Sequence, residues 1–184
     1  MVKSETMRSR KSRPKAEPRI VPALALGQIQ RLGLNVHYVG AGGRFVLVRG
    51  DCREVLPRIA EAGLRPRMVF ADPPYNLSNN GITCQSGMMV SVNKGAWDRS
   101  AGAVEDHAFV LSWLQACLQS LAPGGSIWVS GTQHIIFSVG FGLQELGAKI
   151  LNTVVWEKLA PPPNLSCRYY THSHEMVLWA KRSV

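Results

Sequence analysis

The chain has 184 residues, of which 46% are apolar and 18% are charged. This balance is typical of a globular protein long enough to bury one substantial core. The longest apolar runs are interrupted and too short to span a bilayer, and no signal-peptide pattern follows the N-terminus. Four scattered cysteines, without C-x-x-C or Cys/His spacing, predict reduced thiols, no metal site and a cytoplasmic location.

The formal net charge of +9 is unevenly distributed. Residues 1–20 carry seven basic and two acidic side chains, a net charge of +5, which leaves +4 for the rest of the chain. This composition predicts a disordered basic tail over 1–20 that precedes a domain over 21–184. The tail is either a solvated arm or a segment that attracts nucleic acid through counterion release, and its composition favours neither reading.

The predicted elements alternate between helices and strands. Hydrophobic periodicity predicts helices over 20–34, 53–64, 105–121 and 134–146, and strands over 37–39, 45–48, 68–71, 126–130, 149–156 and 175–180. Residues 40–43 predict a tight turn, and 76–100 and 158–173 predict long loops. The alternation predicts an α/β fold with a mostly parallel sheet that helices cover on both faces.

The quartet Asp72-Pro73-Pro74-Tyr75 follows the strand predicted over 68–71. Ligands of parallel sheets bind beyond the carboxyl ends of the strands, which is where this quartet lies. The Asp72 carboxylate accepts hydrogen bonds and suits an amino group, the two prolines remove backbone freedom, and the Tyr75 ring offers a stacking face. The quartet therefore predicts a pocket for a planar amino-purine, whereas the plain alternative is a Pro-Pro turn with a packed Tyr.

Asp51 is a second carboxylate at the end of a predicted strand. It suits an adenine amino group or a ribose of a bound nucleotide, and it equally suits the N-cap of the helix that begins near Arg53. Both roles stay open from the residues alone.

Further along the chain, two polar segments carry candidate nucleic-acid contacts. In the loop over 76–100 they are Asn76, Ser78, Lys94 and Arg99, which could line a substrate channel and meet phosphates, while Trp97-Asp98 is the expected anchor of the loop on the core. In the second segment Arg168 and Tyr169 lie among Tyr170, His172 and His174. This cluster is either a solvated turn or a contact to a nucleic-acid backbone or base.

Taken together, the motifs resemble one family. The chain is similar to the β group of DNA amino-methyltransferases, whose sequences are circularly permuted and which include the N6-adenine enzymes of restriction–modification systems. The resemblance covers roughly residues 46–181 and rests on motifs that occur in the same order: Gly50-Asp51-Cys52, the quartet, residues 81–87, residues 89–95, Trp97-Asp98, residues 121–125, Trp156-Glu157-Lys158 and residues 172–175.

The resemblance implies a Rossmann-like fold and methyl transfer from S-adenosylmethionine to the N6 atom of an adenine flipped out of duplex DNA. By similarity, Asp72 and the Pro73 carbonyl would accept hydrogen bonds from N6, with Pro74 holding the loop and Tyr75 stacking on the base. Asp51, Cys52 and Asp72 would lie on the cofactor side. An Asp at the head of the quartet favours adenine, since N4-cytosine relatives more often have Ser there.

One element of the family pattern is missing. The F-x-G-S-G loop, which grips the methionine end of S-adenosylmethionine in this group, does not occur in the 184 residues. The resemblance therefore predicts an incomplete fold that exposes strand edges: the N-terminal catalytic half, cut short by truncation, frameshift or gene splitting, and inactive or nearly so alone. Its expected partners are double-stranded DNA, a complementing C-terminal polypeptide and the cognate restriction system.

Three alternatives accompany this hypothesis. The chain could be a non-catalytic DNA-binding fragment, or one subunit of a split methyltransferase. It could also be an enzyme acting on N4 of cytosine. A methyltransferase acting on RNA or protein amines is disfavoured by the resemblance between residues 81 and 98.

Overall fold

A computed structural model describes residues 24–182 of the chain. The helices are α1 (Leu24–Arg31), α2 (Cys52–Glu61), α3 (Ala103–Ser120) and α4 (Ile136–Glu145). The strands are β1 (Asn35–Gly40), β2 (Phe45–Arg49), β3 (Met68–Ala71), β4 (Ile82–Gln85), β5 (Met88–Ser91), β6 (Ser126–Gly131), β7 (Lys149–Glu157) and β8 (His174–Lys181). The tail predicted over 1–20 lies outside the described residues.

The central sheet has four strands in the order β3-β6-β8-β7. β3 and β6 run parallel, whereas β8 runs antiparallel to both β6 and β7. The α/β fold class is confirmed, but the prediction of a mostly parallel sheet is wrong. No helix lies between β7 and β8 to cross the sheet. The Pro-rich segment between them instead returns the chain in the opposite direction, and Lys158 N donates to Ser173 O at its base.

One face of the sheet packs on helices. Fully buried side chains from β6 and β8 join those of α3 and α4 in one cluster, which includes Leu114, Ile127, Val129, Val139, Leu143 and Ala180. α2 packs on α3 in the same layer. Asp51 caps the first turn of α2, because the Asp51 side chain accepts a hydrogen bond from Arg53 N. Each fully buried Leu, Ile or Val side chain of this cluster contributes roughly 1.5–3 kcal/mol to folding.

The other face of the sheet, which we call the open face, carries apolar side chains that the described residues do not cover. Side chains alternate between faces along a strand, so Phe70, Trp128 and Trp179, which are aligned across β3, β6 and β8, lie opposite the helix-facing residues. Trp128 and Trp179 stack with ring centroids 4.8 Å apart. Phe70 is 58% exposed and Trp156 is 62% exposed. The prediction of helices on both faces is therefore wrong for residues 24–182.

Two antiparallel hairpins complete the fold. The first joins β1 to β2, as the strand–turn–strand prediction for residues 37–48 required. The second joins β4 to β5 within residues 76–100, where a loop without regular structure was predicted. Its turn residues Ser86 and Gly87 both have positive φ, a pairing that suits a two-residue hairpin turn. Each strand of the second hairpin has only four residues, too few to show a clear alternation within the polar segment around it.

Candidate active site

Parallel pairing of β3 with β6 fixes the position of the quartet. The register aligns Ala71 with Val129, so Asp72 and Ser130 are the next residues on two adjacent strands. Asp72 is the first residue beyond β3, where no sheet hydrogen bond occupies the backbone, and Pro73 and Pro74 stiffen the loop that follows. The quartet therefore lies at the carboxyl edge of the sheet, as predicted from sequence.

Two donors hold the Asp72 carboxylate by the same oxygen. Tyr75 Oη donates to Asp72 Oδ1 at 2.8 Å, and Ser130 Oγ lies 2.6 Å from that atom and 3.2 Å from Ala71 O. Among the described residues no donor reaches Asp72 Oδ2. The carboxylate is thus oriented by one oxygen and presents the other, an arrangement suited to accepting a hydrogen bond from an amino group.

Tyr75 lies between two acidic side chains. Its hydroxyl is 2.8 Å from Asp72 Oδ1 and 3.3 Å from Glu175 Oε2. Burial raises the pKa of Tyr75 well above its usual range, and the neighbouring carboxylates add to this effect, so the phenol stays protonated and donates. Lys158 Nζ forms an ion pair with Glu175 Oε1 at 2.7 Å, which balances part of the negative charge.

The quartet separates two cavities. The first, which we call the quartet cleft, has a volume of about 590 Å³ and is lined by Phe70, Asp72, Pro73, Pro74, Tyr75, Lys94, Trp97, Asp98, Ser130, Trp156 and Glu175. The second, which we call the edge cavity, has a volume of about 430 Å³ and is lined by Asp51, Cys52, Arg53, Leu56, Val69, Phe70, Ala71, Asp72, Pro73, Pro74, Phe109, Trp113 and Cys117. Asp72 borders both cavities.

Asp51, Cys52 and Asp72, the three predicted cofactor-binding residues, thus meet at the edge cavity. Asp51 performs the capping role that was one of its two predicted functions. Hydrogen bonds from the Arg53 side chain and backbone lower the Asp51 pKa to about 2, so this carboxylate is ionised at neutral pH. Burial raises the Cys52 pKa, and the Arg53 guanidinium lies 5.4 Å from the centre of the Phe109 ring.

A buried carboxylate fixes the loop that follows the quartet. Asp98 is 1% exposed and accepts hydrogen bonds from Asn76 N at 2.9 Å, Leu77 N at 3.3 Å and Ser78 Oγ at 2.8 Å. The loop is therefore anchored at Asp98, as predicted, but its neighbour Trp97 is exposed and is not part of the anchor.

Ser78 is not available to DNA. Its side chain is 1% exposed, its hydroxyl donates to Asp98, and the same oxygen accepts from Lys94 N at 2.7 Å. The prediction that Ser78 contacts DNA is therefore wrong, because both its hydrogen-bonding roles are used within the loop. The sequence pattern correctly marked a polar segment but could not separate buried from exposed hydroxyls.

The other predicted DNA contacts lie at separate places. Lys94 lines the quartet cleft, Asn76 follows the quartet, and Arg99 and Arg168 are exposed. Tyr169 borders a third cavity of about 650 Å³, together with His134, His172 and His174. Burial, and then the charge of His172, lowers the pKa of His134. The predicted cluster around Tyr169 is thus a wall of a groove, and its role in DNA binding stays a prediction.

Ser130 and Glu175 are the site residues that the sequence reasoning missed. Ser130 was assigned only to a strand, and Glu175 only to a strand and a shared motif. Both are polar side chains near the edge of the sheet that carries the quartet, which is the signal that could have found them. Their contacts to Asp72 and Tyr75 span 58 and 100 positions, so no local pattern links them to the quartet. Within residues 24–182, no group of three or more His, Cys, Asp or Glu side chains could hold a metal ion, and no helix is long and apolar enough to cross a membrane.

The quartet thus combines an oriented carboxylate with two adjoining cavities beyond the end of a parallel strand. A family model described as DNA methylase, for N6 and N4 methyltransferases, matches residues 67–183. The chain belongs to this family.

Its relatives include three Type II methyltransferases. M2.DpnII of Streptococcus pneumoniae is 44% identical over 140 residues, 76% of this chain and 52% of the relative. M2.LlaDCHI of Lactococcus lactis subsp. cremoris is 46% identical over 138 residues, 75% of this chain and 51% of the relative. M2.MboI of Moraxella bovis is 43% identical over 138 residues, 75% of this chain and 50% of the relative. The chain thus spans about half the length of the curated relatives it matches.

Solved structures agree on the fold. The crystal structure of M1.HpyAVI superposes with a TM-score of 0.50 at 18% identity, covering 73% of this chain and 55% of that protein. At this identity the likeness concerns the fold alone. It confirms the methyltransferase-like α/β architecture that the motifs predicted.

Replacement of Asp98 by Asn tests the anchor. The amide leaves only one acceptor oxygen for three donors and directs an NH2 group towards them, so we expect a loss of roughly 2–4 kcal/mol in the free energy of unfolding. Urea denaturation measures it, and hydrogen exchange should show faster exchange at the Asn76 and Leu77 amides. Asp106→Asn is the control, since Asp106 also accepts from a hydroxyl and a backbone N–H but in a more exposed setting. Equal losses in the two variants would contradict the anchor.

Proposed function

We propose that this chain supplies the amine-binding half of a DNA methyltransferase that transfers a methyl group from S-adenosylmethionine to the N6 atom of adenine. The observation that carries the proposal is the Asp72 carboxylate, held by one oxygen and placed between two cavities. A transfer between two substrates needs the acceptor atom and the donor atom to meet at one point, and Asp72 marks the point where the two cavities meet.

On the quartet side, the chain's own groups act on the amine. Asp72 Oδ2 and the Pro73 carbonyl accept hydrogen bonds from the N6 hydrogens. This localises the nitrogen lone pair, which the purine ring otherwise delocalises. The Tyr75 hydroxyl donates a hydrogen bond that holds the carboxylate in place, and the Tyr75 ring offers a stacking face to the base. Because the acceptors are oriented before the substrate arrives, their contribution is electrostatic and positional, and no covalent intermediate with the protein is needed.

The edge cavity is the proposed place for the cofactor. S-adenosylmethionine supplies an electrophilic methyl group on a sulfonium centre. The residues there suit it in part: Phe109 offers exposed aromatic surface for an adenine ring, whereas Trp113 is buried, and Asp51 and Asp72 are acceptors for polar and cationic groups. Asp51 is already bonded to Arg53, so its share in holding the cofactor would need that ion pair to open.

DNA is the proposed second substrate. The amino group of a paired, stacked base is hidden, so the target adenine must be flipped out of the duplex to reach the quartet cleft. Lys94, Arg99 and Arg168 carry the charge that meets phosphates, and Asn76 and Tyr169 are the polar and stacking contacts. The net charge of +9 assists this encounter without specifying a sequence.

The identity of the methylated base is the first test. A chimera of M2.DpnII, in which this chain replaces the matched segment, is incubated with S-adenosylmethionine and duplex DNA, and the nucleosides are separated by mass spectrometry. We expect N6-methyladenine, and roughly 10²–10³-fold less of it with Asp72→Ala, since the main preorganised acceptor is removed. Glu61→Ala, an exposed carboxylate on α2, is the control. N4-methylcytosine as the product would overturn the choice of base, and an unaffected Asp72→Ala variant would favour a non-catalytic DNA-binding role.

Ser130 is expected to act as a positioning residue in the same chimera. Ser130→Ala removes one of the two donors to Asp72 Oδ1, worth about 1–1.5 kcal/mol, so kcat should fall about tenfold with little change in KM for DNA. Ser126→Ala, at the opposite end of the same strand, is the matched control and should leave kcat unchanged. A change confined to KM would contradict the role assigned to Ser130.

The chain by itself is expected to bind S-adenosylmethionine weakly. The described residues wall the edge cavity with α2, α3 and β3, and β3 has a sheet neighbour on one side only, so no described strand closes the cavity beyond it. Isothermal calorimetry of the 184-residue chain should show no binding tighter than about 10⁻⁴ M, or roughly −5.5 kcal/mol. Micromolar binding by the chain alone would refute this expectation.

A further inference from the structure

Glu175 and Asp72 compete for one hydrogen. The Tyr75 hydroxyl has a single hydrogen to donate, and two carboxylate oxygens lie near it: Asp72 Oδ1 at 2.8 Å and Glu175 Oε2 at 3.3 Å. When the hydrogen bond goes to Asp72, it holds Oδ1 and leaves Oδ2 without a donor among the described residues. The choice between the two acceptors therefore decides how the Asp72 carboxylate is oriented.

Lys158 weakens the competing acceptor. Its Nζ lies 2.7 Å from Glu175 Oε1, and the side chains of Lys158 and Glu175 are 33% and 18% exposed. A largely buried carboxylate without a cation is costly and accepts a hydrogen bond from any donor in reach, whereas the charge of a paired carboxylate is already compensated. The ion pair with Lys158 thus leaves the Tyr75 hydrogen to Asp72.

The pairing of β7 with β8 fixes Lys158 beside Glu175. The two strands are antiparallel with Trp156 opposite Glu175, and Lys158 N donates to Ser173 O at 2.8 Å directly beyond them. Lys158 is therefore the diagonal neighbour of Glu175 on the same face, a spacing that a long side chain bridges. No other basic side chain among residues 24–182 forms an ion pair with Glu175, including those that border the same cavities: Lys94, His134, His172 and His174.

We infer that Lys158 is a positioning residue for the quartet, because its ion pair with Glu175 directs the Tyr75 hydroxyl to Asp72. No proton is transferred: Tyr75 stays protonated, and only the acceptor of its hydrogen bond is decided. Without Lys158, the unpaired Glu175 takes the Tyr75 hydrogen, and Asp72 keeps Ser130 as its one donor among the described residues. The orientation follows from the geometry of this chain, whereas its effect on methyl transfer rests on the proposed function.

Carbon-13 NMR of the full chain tests the orientation directly. The carboxyl carbons of the Asp side chains are labelled, and the Asp72 resonance is the one that Asp72→Asn removes. Tyr75→Phe gives the displacement caused by loss of the Tyr75 donor, and Lys158→Met should displace the resonance in the same direction by at least about half as much. Lys158→Arg, which keeps the charge, and Lys149→Met, at the exposed start of β7, should leave the resonance in place. Circular dichroism reports the folding of each variant.

A second substitution separates this role from a structural one. Glu175→Gln removes the competing charge, so the double variant Lys158→Met, Glu175→Gln should return the Asp72 resonance to its original position. An ion pair that only stabilises the fold would give equal displacements for the two single variants and no recovery in the double variant. The inference is overturned by that result, or by an Asp72 resonance that does not move in Lys158→Met.

Turnover in the M2.DpnII chimera is the second readout. Lys158→Met should lower kcat about tenfold with little change in KM for DNA, and the double variant with Glu175→Gln should recover most of the loss. A fall in kcat that the double variant does not recover would contradict the inference. A displaced Asp72 resonance with an unchanged kcat would instead support the orientation and count against the proposed function, so the two failures are distinguishable.

Discussion

The parallel pairing of β3 with β6 is the constraint on which the site depends. It brings the carboxyl ends of two strands to the same edge, so Asp72 and Ser130 become neighbours although 58 positions separate them. Without this register, the quartet would be a stiff loop with a carboxylate free to rotate. With it, Ser130 and Tyr75 hold one oxygen and leave the other without a donor among the described residues. The hydrogen bond between the two strand ends thus converts a short sequence motif into an oriented acceptor.

Local sequence patterns predicted most of the helices and strands. They missed the side-chain contacts that depend on the pairing of distant strands. The quartet is a strong motif, and its place beyond β3 was predicted. The α2 cap depends on residues close in sequence and was one of two roles left open for Asp51. The anchor predicted at Trp97-Asp98 holds for Asp98 alone. The roles of Ser130 and Glu175 arise from strand register and from no local signal. Ser78 was misassigned for the opposite reason: a hydroxyl in a polar loop predicts exposure, and only the buried Asp98 explains why it is inside.

The direction of the strands was also predicted incorrectly from local sequence patterns. A parallel crossover needs a connection of a dozen or more residues, usually a helix, and this condition holds between β3 and β6, which α3 connects. Between β7 and β8 the connection contains prolines and no helix, so adjacent antiparallel strands are the simpler solution. The alternation of helices and strands elsewhere predicted a parallel sheet, and this one irregular connection carried the information that it is mixed.

The two cavities around Asp72 differ in how far the chain completes them, and the difference has a physical cause. The quartet cleft is bounded by β3, β6 and β8 and by the loop held at Asp98, and Ser130 and Tyr75 fix its carboxylate acceptor. The edge cavity is bounded by α2, α3 and one strand, β3, which lies at an edge of the sheet. Its aromatic wall therefore faces a side that no described strand closes. In the function proposed above, orientation of an amine needs only the first cavity, whereas a tight grip on a charged, flexible nucleoside needs enclosure from several sides. β3 pairs with a neighbour on one side only, and this edge position accounts for the open side of the edge cavity.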